Sequence, residues 1–361
     1  MIRRLSTITL TIVLAVLGST IPEAAQANDE QVDLEALYQQ IDKAIDEYPQ
    51  YVADREQQIS NARQSYLTSD GKKKLQAAEQ LFELFKPYKN DSALCYAAIC
   101  VGLADSLQLP ALAGRYRSQQ ARQCSNAGMY VEALDLLNAV DKTQLDRQGI
   151  TKYYEAWMHV CGEIGSHSDL KDVRQAYYDR QDAYRDTVLQ VADPNSEEYL
   201  HLKMDVLNAR QQYQEALRVS NRWLGKVSEG THENAFAAFY RSVVYDKLSN
   251  PEQVRYWLGR SALDDIRCAV TDQASLLFLA EHLADEGDIA RALRYMEFAR
   301  SRNLFFCPRM RAYQVDPVIN IIEKSNEAVQ HRADLTLIIA AAIIICLLIS
   351  LIVALLLIRK K

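Results

Sequence analysis

Glycine and proline are scarce in this sequence, whose 361 residues include only 12 glycines and 8 prolines. Strict alternation of polar and apolar residues, which marks a half-buried strand, is also rare. Alanine, leucine, glutamine, glutamate and arginine are abundant, and all of them favour helices. These absences argue against a sheet, and the composition predicts that helices dominate the chain.

Catalytic and metal-binding motifs are missing as well. The sequence contains no GxSxG, HExxH or Walker-type loop, and no two cysteines form a CxxC pair. Two looser groups could offer metal ligands. His282 lies four residues before Glu286, which we interpret as a solvated acidic helix end, and "HVCGEIGSH" (residues 159–167) has irregular spacing around its glycines. We predict a protein that is not an enzyme, with no catalytic residue, cofactor or metal.

The one long apolar run stands at the end, in "LTLIIAAAIIICLLISLIVALLLIRKK". Leu335 to Ile358 carry no charge and exceed the roughly 20 helical residues that a bilayer core requires. A buried core helix is the alternative, but core helices rarely run so long without charge. The basic residues after Ile358 predict a cytoplasmic end.

The other end reads "MIRRLSTITLTIVLAVLGSTIPEAAQA". Arg3 and Arg4 precede a short apolar run, and the small residues Ala25 and Ala27 bracket Gln26, which predicts a secretory signal peptide cleaved after Ala27. An uncleaved anchor is the alternative. The two ends together predict a single-pass protein of a bacterial inner membrane, with a periplasmic N-terminal domain and a cytoplasmic C-terminus. The predicted segments are a signal peptide (1–27), a periplasmic repeat domain (28–334), a transmembrane helix (335–358) and a basic tail (359–361).

The charge balance argues against one class of partner, and the cysteine content leaves open whether the protein has a disulfide. Asp and Glu outnumber Lys and Arg by 47 to 41, which argues against a nucleic-acid surface. Six of the seven cysteines belong to the exported region, where a disulfide could persist. Cys95, Cys100 and Cys124 could pair if their helices are neighbours, and buried free thiols fit equally well.

Helical hairpins account for most of the exported region. Leu34, Leu37, Tyr38, Ile41 and Ile45 form one apolar stripe, which predicts an amphipathic first helix that docks on a neighbour and is interrupted at Pro49. The stretch "SLLFLAEHLADEGDIARALRYMEFAR" predicts two helices around a turn at a glycine, with small residues along their seam.

The hairpin pattern recurs along the chain. Ala133, Val173, Ala216, Val254 and Ala292 occupy corresponding places in the second helix, at spacings near 40 residues. This periodicity predicts an all-α, tetratricopeptide-like helical-hairpin solenoid followed by one C-terminal transmembrane helix. Another hairpin solenoid and an ordinary helical bundle are the alternatives.

A stacked array of hairpins forms a curved surface suited to extended ligands. The chain has 20 tyrosines, whose rings offer flat apolar area together with a hydroxyl group. We predict a concave face that binds a protein or peptide, although each tyrosine alone is more often a core residue. The candidate ligand-binding residues are Tyr153, Tyr154, Tyr177, Tyr178, Tyr240, Arg241 and Tyr245.

Three stretches carry a family resemblance: "LYQQIDKAIDEYPQYVADREQQI", "GMYVEALDLL" and "DIRCAVTDQASLLFLAEHLADEGDIARALRYMEFA". They resemble the exported part of an uncharacterised Gram-negative bacterial family of single-span membrane proteins, described as candidate transcriptional regulators. The resemblance implies a tetratricopeptide-like region, one span and a cytoplasmic domain that this sequence lacks. We therefore expect either a truncated gene product or a member that signals through a separate partner, without direct DNA binding.

The sequence thus predicts a membrane-anchored periplasmic receptor for a peptide or protein. Its short tail would require a membrane-protein partner or a homodimer for signalling or transcriptional regulation. A constitutive scaffold for an envelope protein complex is the alternative, and an enzyme of unknown type is a more distant one.

Overall fold

The computed structural model describes residues 32–306, followed by residues 324, 327, 330–332, 334–350 and 359. The predicted signal peptide, Cys307 and most of the basic tail lie outside the described residues. Within residues 32–306 the regular elements are helices. They are α1 (Leu34–Thr68), α2 (Gly71–Phe85), α3 (Asn90–Ser106), α4 (Pro110–Asn126), α5 (Tyr130–Asn138), α6 (Arg147–Ser166), α7 (Lys171–Val191), α8 (Glu197–Ala209), α9 (Tyr213–Leu224), α10 (His232–Lys247), α11 (Pro251–Arg267), α12 (Ala274–Glu286) and α13 (Ile289–Phe306), with a short 3₁₀ turn at Lys142–Gln144.

The described helices after α1 pair in chain order as hairpins: α2 with α3, α4 with α5, and so on to α12 with α13. Four of the five residues predicted to occupy corresponding places in second helices confirm the hairpin repeat. They are Ala133, Ala216, Val254 and Ala292, and each is buried in the second helix of its hairpin. The prediction for Val173 was wrong. Its side chain is 37% exposed near the start of α7, because the apolar stripe of this helix lies towards its end, around Val188.

One turn geometry recurs between helices. A single residue in the left-handed region ends the first helix, and the next N–H donates to a carbonyl five residues earlier, as Asp288 does to Leu283 at 2.9 Å and Asn250 to Tyr245 at 3.1 Å. The left-handed residues at the turns of this kind are Gln108, Gly128, Gln211, Ser249, Ala269 and Gly287. Sequence repetition and structural repetition therefore coincide at the turns.

Helix α1 docks on the far end of the array, as its apolar stripe predicts. Leu37, Tyr38 and Ile41 are buried in the same core as α11 and α13. The Tyr295 hydroxyl donates to the Tyr38 carbonyl at 3.2 Å, and Arg291 pairs with Glu35 at 3.0 Å. A helix early in the chain thus binds the last hairpin.

The other half of α1 packs on the first hairpin. Ile59 and Ala62 share a core with Phe82 of α2. Between the two halves, the Arg55 guanidinium donates to the Cys268 carbonyl at 2.6 Å. The Thr271 hydroxyl donates to the Tyr88 carbonyl at 2.7 Å, which links the loop before α12 directly to the loop after α2. The described hairpin array is therefore tied together at both ends by α1.

Pro49 does not interrupt α1, which continues from Leu34 to Thr68. Proline removes one helical hydrogen bond, at a cost of about 3 kcal/mol. Packing on both sides outweighs it, because Tyr48 is buried with its ring 4.9 Å from that of Phe298, and Tyr51 and Val52 pack against the same core.

An apolar helix near the C-terminus, Gln330–Ser350, is long and apolar enough to cross a membrane. Its most apolar part is not buried against the rest of the described protein. It overlaps the predicted span 335–358, of which residues 351–358 lie outside the described residues.

The described cysteines are free thiols. Of the two alternatives for Cys95, Cys100 and Cys124, free thiols hold, with Cys100 and Cys124 buried. Burial raises the pKa of Cys100 to about 12 and that of Cys124 to about 11, which keeps both thiols protonated and unreactive.

Candidate functional site

A cavity of about 440 Å³ opens among α4, α6, α7, α8 and α10. Its size lies within the roughly 300–1,000 Å³ that ligand pockets occupy. The side chains that line it are both charged and aromatic, and include Arg122, Glu155, Tyr178, Arg185, His201, Asp205, Phe236 and Tyr240.

Local sequence signals fix where the helices around the cavity begin. Asp146 caps α6 by accepting a hydrogen bond from the Gly149 N–H at 2.7 Å, and Ser196 caps α8 by accepting one from the Tyr199 N–H at 3.3 Å. Gly165 lets the Tyr178 ring approach α6, because a Cβ at this glycine would lie 2.8 Å from the ring. The side chains of the cavity are therefore held by regular elements.

A charge network closes one wall of the cavity. Glu155 accepts hydrogen bonds from Arg122 and Lys152, each at 3.0 Å, and Lys152 also donates to Glu198 at 2.5 Å. Burial raises the pKa of Glu155, but the positive charges of Lys152 and Arg122 outweigh burial and hold it at about 2. These groups satisfy one another, and Glu155 remains ionised at neutral pH.

His201 lies beside this network and is neutral. Burial is the main reason that its pKa falls to about 4. Its ring centroid lies 5.1 Å from that of Tyr240 and 5.8 Å from that of Phe236. His201 therefore supplies an uncharged aromatic surface to the cavity at pH 7.

Asp205 differs from the other acids of the cavity wall. Within the part of the chain that the structure describes, no protein donor makes a hydrogen bond to its carboxylate, and Arg185 acts on it only through charge. Arg185 itself pairs with Asp182 at 2.9 Å. Burial raises the pKa of Asp205 to about 6. The carboxylate is thus ionised at neutral pH and open to a donor from outside the protein.

A row of aromatic rings continues from the cavity towards α12. Tyr240 contacts Phe236 at 4.9 Å and Phe239 at 5.6 Å between ring centroids, and Phe239 stacks on Phe278 at 6.2 Å. Phe278 is 41% exposed although it is a large apolar residue. We call Phe236, Phe239, Tyr240 and Phe278 the aromatic strip.

The structure separates the seven sequence-predicted residues into three groups. Tyr178 and Tyr240 line the cavity. Tyr154 and Tyr177 are half-buried outside the cavity lining: the Tyr154 ring lies 5.2 Å from that of Tyr153, and Arg180 lies 5.1 Å from the Tyr177 ring.

The other three predicted residues pack inside the protein. Tyr153 and Tyr245 belong to the hydrophobic core. Arg241 is 7% exposed and donates to Asn221 at 2.6 Å and to Ser220 at 3.2 Å. Because these side chains fill the space between neighbouring helices, they do not form part of an accessible surface.

Sequence reasoning missed Asp205, His201 and most of the aromatic strip. Phe278 had a usable signal, since it is a large aromatic that stands off the apolar stripe Leu276, Leu279, Ala280 and Leu283 of the same helix. A single aspartate or histidine gives no comparable signal.

The two histidine-containing groups do not assemble into metal sites. His159 bonds to Asn126 at 2.8 Å, and His167 bonds to Tyr130 at 3.1 Å, while Cys161 is buried. Among the described residues, no three His, Cys, Asp or Glu side chains come together in a way that could hold a metal ion.

Comparisons with known proteins identify the repeat region. The family described as the SusR N-terminal TPR (tetratricopeptide repeat) domain matches residues 45–317. Among solved structures, the complex of pHSP90 with the TPR2AB domain of yeast Sti1 is similar with 13% identity and a TM-score of 0.30, over 78% of this chain and 98% of that chain. No curated protein matches. The hairpin array, its recurrent turns and the family match agree, and the chain belongs to the family of the SusR N-terminal TPR domain.

Proposed function

We propose that this protein is a membrane-anchored sensor that binds a protein or peptide on its TPR array and acts in signalling or transcriptional regulation through a partner. TPR hairpins form protein-interaction surfaces. The aromatic strip and its adjoining cavity carry the proposal, because a row of partly buried rings joins the exposed ring of Phe278 to a cavity with an open carboxylate. Exposed aromatic residues beside polar groups are typical of interaction sites.

The apolar helix Gln330–Ser350 supports the membrane anchor. We further propose that the repeat domain is periplasmic, that the protein resides in the bacterial inner membrane, and that it is not an enzyme. Protease added to spheroplasts should digest the repeat domain of the anchored protein. Protection of that domain until the membrane is lysed would contradict the periplasmic placement.

Site-specific photo-crosslinking tests the binding surface. A photoreactive residue at Phe278, on the aromatic strip, should crosslink a partner in living cells. The matched control is Val131, which is 70% exposed on α5 and lies off the strip. Equal crosslinking from both positions, or none from Phe278, would count against the strip as the binding surface.

The second candidate is a constitutive scaffold for an envelope protein complex, which the binding of α1 to both ends of the array favours, because a tied array presents a preformed surface. The yield of Phe278 crosslinks, measured under several growth conditions, distinguishes a sensor from a scaffold. A sensor should show Phe278 crosslinks that change in yield with conditions, whereas a scaffold should show one crosslinked partner at constant yield.

A further inference from the structure

The cavity that adjoins the aromatic strip could select the ligand of the protein, if the protein binds a peptide as proposed above. Its wall contains several ionisable groups, but most already have partners within the protein. Arg122 pairs with Glu155, and Arg185 pairs with Asp182. A ligand gains little from groups that would first have to give up these bonds.

Among the charged groups of the described wall, Asp205 is the exception. Its carboxylate faces the cavity and receives no hydrogen bond from any donor in the described part of the protein. Carboxylates that lose water on burial are normally compensated by hydrogen-bond donors or an opposite charge. Here the nearby charge of Arg185 compensates in part, and the oxygen atoms remain free to accept hydrogen bonds from a ligand.

The residues around Asp205 indicate which chemical group of a ligand the cavity can bind. Tyr178, Phe236 and Tyr240 present rings to the same cavity, and Glu163 adds a second carboxylate to the lining. Aromatic faces attract cations, and a carboxylate gives a cation its strongest hydrogen-bonding partner. An anionic or purely apolar group would leave Asp205 buried without compensation.

We propose that this cavity binds a basic side chain, lysine or arginine, of the peptide partner, with Asp205 as its counter-ion and the rings of Tyr178, Phe236 and Tyr240 as its walls. The aromatic strip leads away from the cavity through Phe239 to Phe278. The rest of the peptide would follow this strip with apolar residues. The preferred ligand is therefore an extended segment with a basic residue near apolar ones.

A peptide library tests this specificity. The full chain, reconstituted in nanodiscs, is screened against immobilised octapeptides that are randomised in sequence. Lysine or arginine should be enriched at one position of the retained peptides. Replacing that residue by norleucine in a retained peptide should weaken binding by about ten- to a hundredfold, the range expected for a lost charged hydrogen bond.

Two variants test whether the enrichment for basic residues depends on Asp205. Asp205→Asn removes the charge and keeps the shape, and the enrichment for basic residues should disappear. Asp186→Asn removes the same charge from an exposed position of α7 outside the cavity lining, and the enrichment should remain.

The outcomes that overturn the inference are distinct from those that overturn the proposed function. Retained peptides that lack a basic preference, or a preference unchanged in Asp205→Asn, would refute the role of Asp205 and leave peptide binding intact. Failure of the reconstituted chain to retain any peptide would refute both.

Discussion

Asp205 is a residue at which stability and binding have opposite requirements. Burial disfavours its ionised form, and no protein donor in the described residues offsets that cost through a hydrogen bond. Asparagine has nearly the same shape and cannot ionise. A carboxylate at this position therefore lowers the stability of the free protein, which is understandable if it serves a ligand.

We expect Asp205→Asn to raise the free energy of unfolding at pH 7 by about 1–2 kcal/mol, less than the full shift implies, because the site is partly solvated. The sign follows from the raised pKa. The destabilisation by Asp205 is absent below the unfolded value, near 4, and is fully present above about 6. Urea unfolding of both proteins at pH 4 and pH 7 measures the difference, which should shrink at pH 4. A less stable variant at pH 7 would show that the carboxylate has a partner in the free protein.

Glu155 should behave in the opposite way. Its carboxylate joins Arg122 and Lys152, so Glu155→Gln leaves Arg122 without its counter-ion and Lys152 with Glu198 alone. We expect a loss of about 2–3 kcal/mol at pH 7, because breaking a buried pair by removing one partner is costly. The pKa of about 2 means that this stabilisation is present above pH 4.5 and declines as the pH falls towards 2. A variant as stable as the wild type at pH 7 would contradict the assigned network.

The seven predicted residues show what sequence can say at this scale. The candidates were chosen because they fall in first-helix or inter-repeat segments, and that choice does not say which side of a helix each side chain occupies. Tyr240 lines the cavity and Tyr245, five residues later on the same helix, is buried in the core. The place of Asp205 in the cavity could not be predicted from the sequence, which has 47 acidic residues. Only the packing of five helices puts this one in the cavity wall.

At the scale of the element, the hairpins could be predicted because sequence and turn geometry repeat together. The buried seam residues Ala133, Ala216, Val254 and Ala292 each stand five residues after a left-handed turn residue. Pro49 and Val173 gave wrong predictions, for reasons that only tertiary packing supplies. Proline was tolerated because its helix is held on both sides, and Val173 matched the spacing without facing a neighbour.

The contact between α1 and α11 depends on a glycine. A Cβ at Gly259 would lie 2.8 Å from Leu37 Cδ2, whereas one at Gly102 would meet nothing within 4 Å. Gly259→Ala should therefore cost about 1–3 kcal/mol by overpacking. Gly102→Ala, in the interior of α3, should instead gain about 0.5–1 kcal/mol from helix propensity. Denaturant unfolding compares the two, and a stabilised Gly259→Ala would show that the helices are further apart.

At the scale of the whole repeat domain, α1 couples the first and last hairpins. In an open solenoid each repeat contacts only its neighbours, so distant repeats unfold almost independently. Here Ile41 is buried in one core with Ala292 and Met296 of α13, while Ile59 on the same helix belongs to the core of α2 and α3. The described array should therefore unfold as one cooperative unit.

We expect Ile41→Ala to destabilise the protein by about 2–5 kcal/mol and to raise amide hydrogen exchange in both α1 and α13. Leu67→Ala is the control, because Leu67 is 66% exposed on the same helix and should change neither quantity much. Faster exchange confined to α1 would mean that the last hairpin is stable without it.

Because α1 contacts both the first and the last hairpin, it also restricts how such a protein can evolve. An open repeat array lengthens easily, since a duplicated hairpin finds the same neighbours as the original. Here Arg291 and Tyr295 of the last hairpin must reach Glu35 and Tyr38 of α1, so an inserted hairpin would break contacts at a distance. Relatives that keep these contacts between α1 and the last hairpin should therefore have the same number of hairpins and differ in the length of their loops.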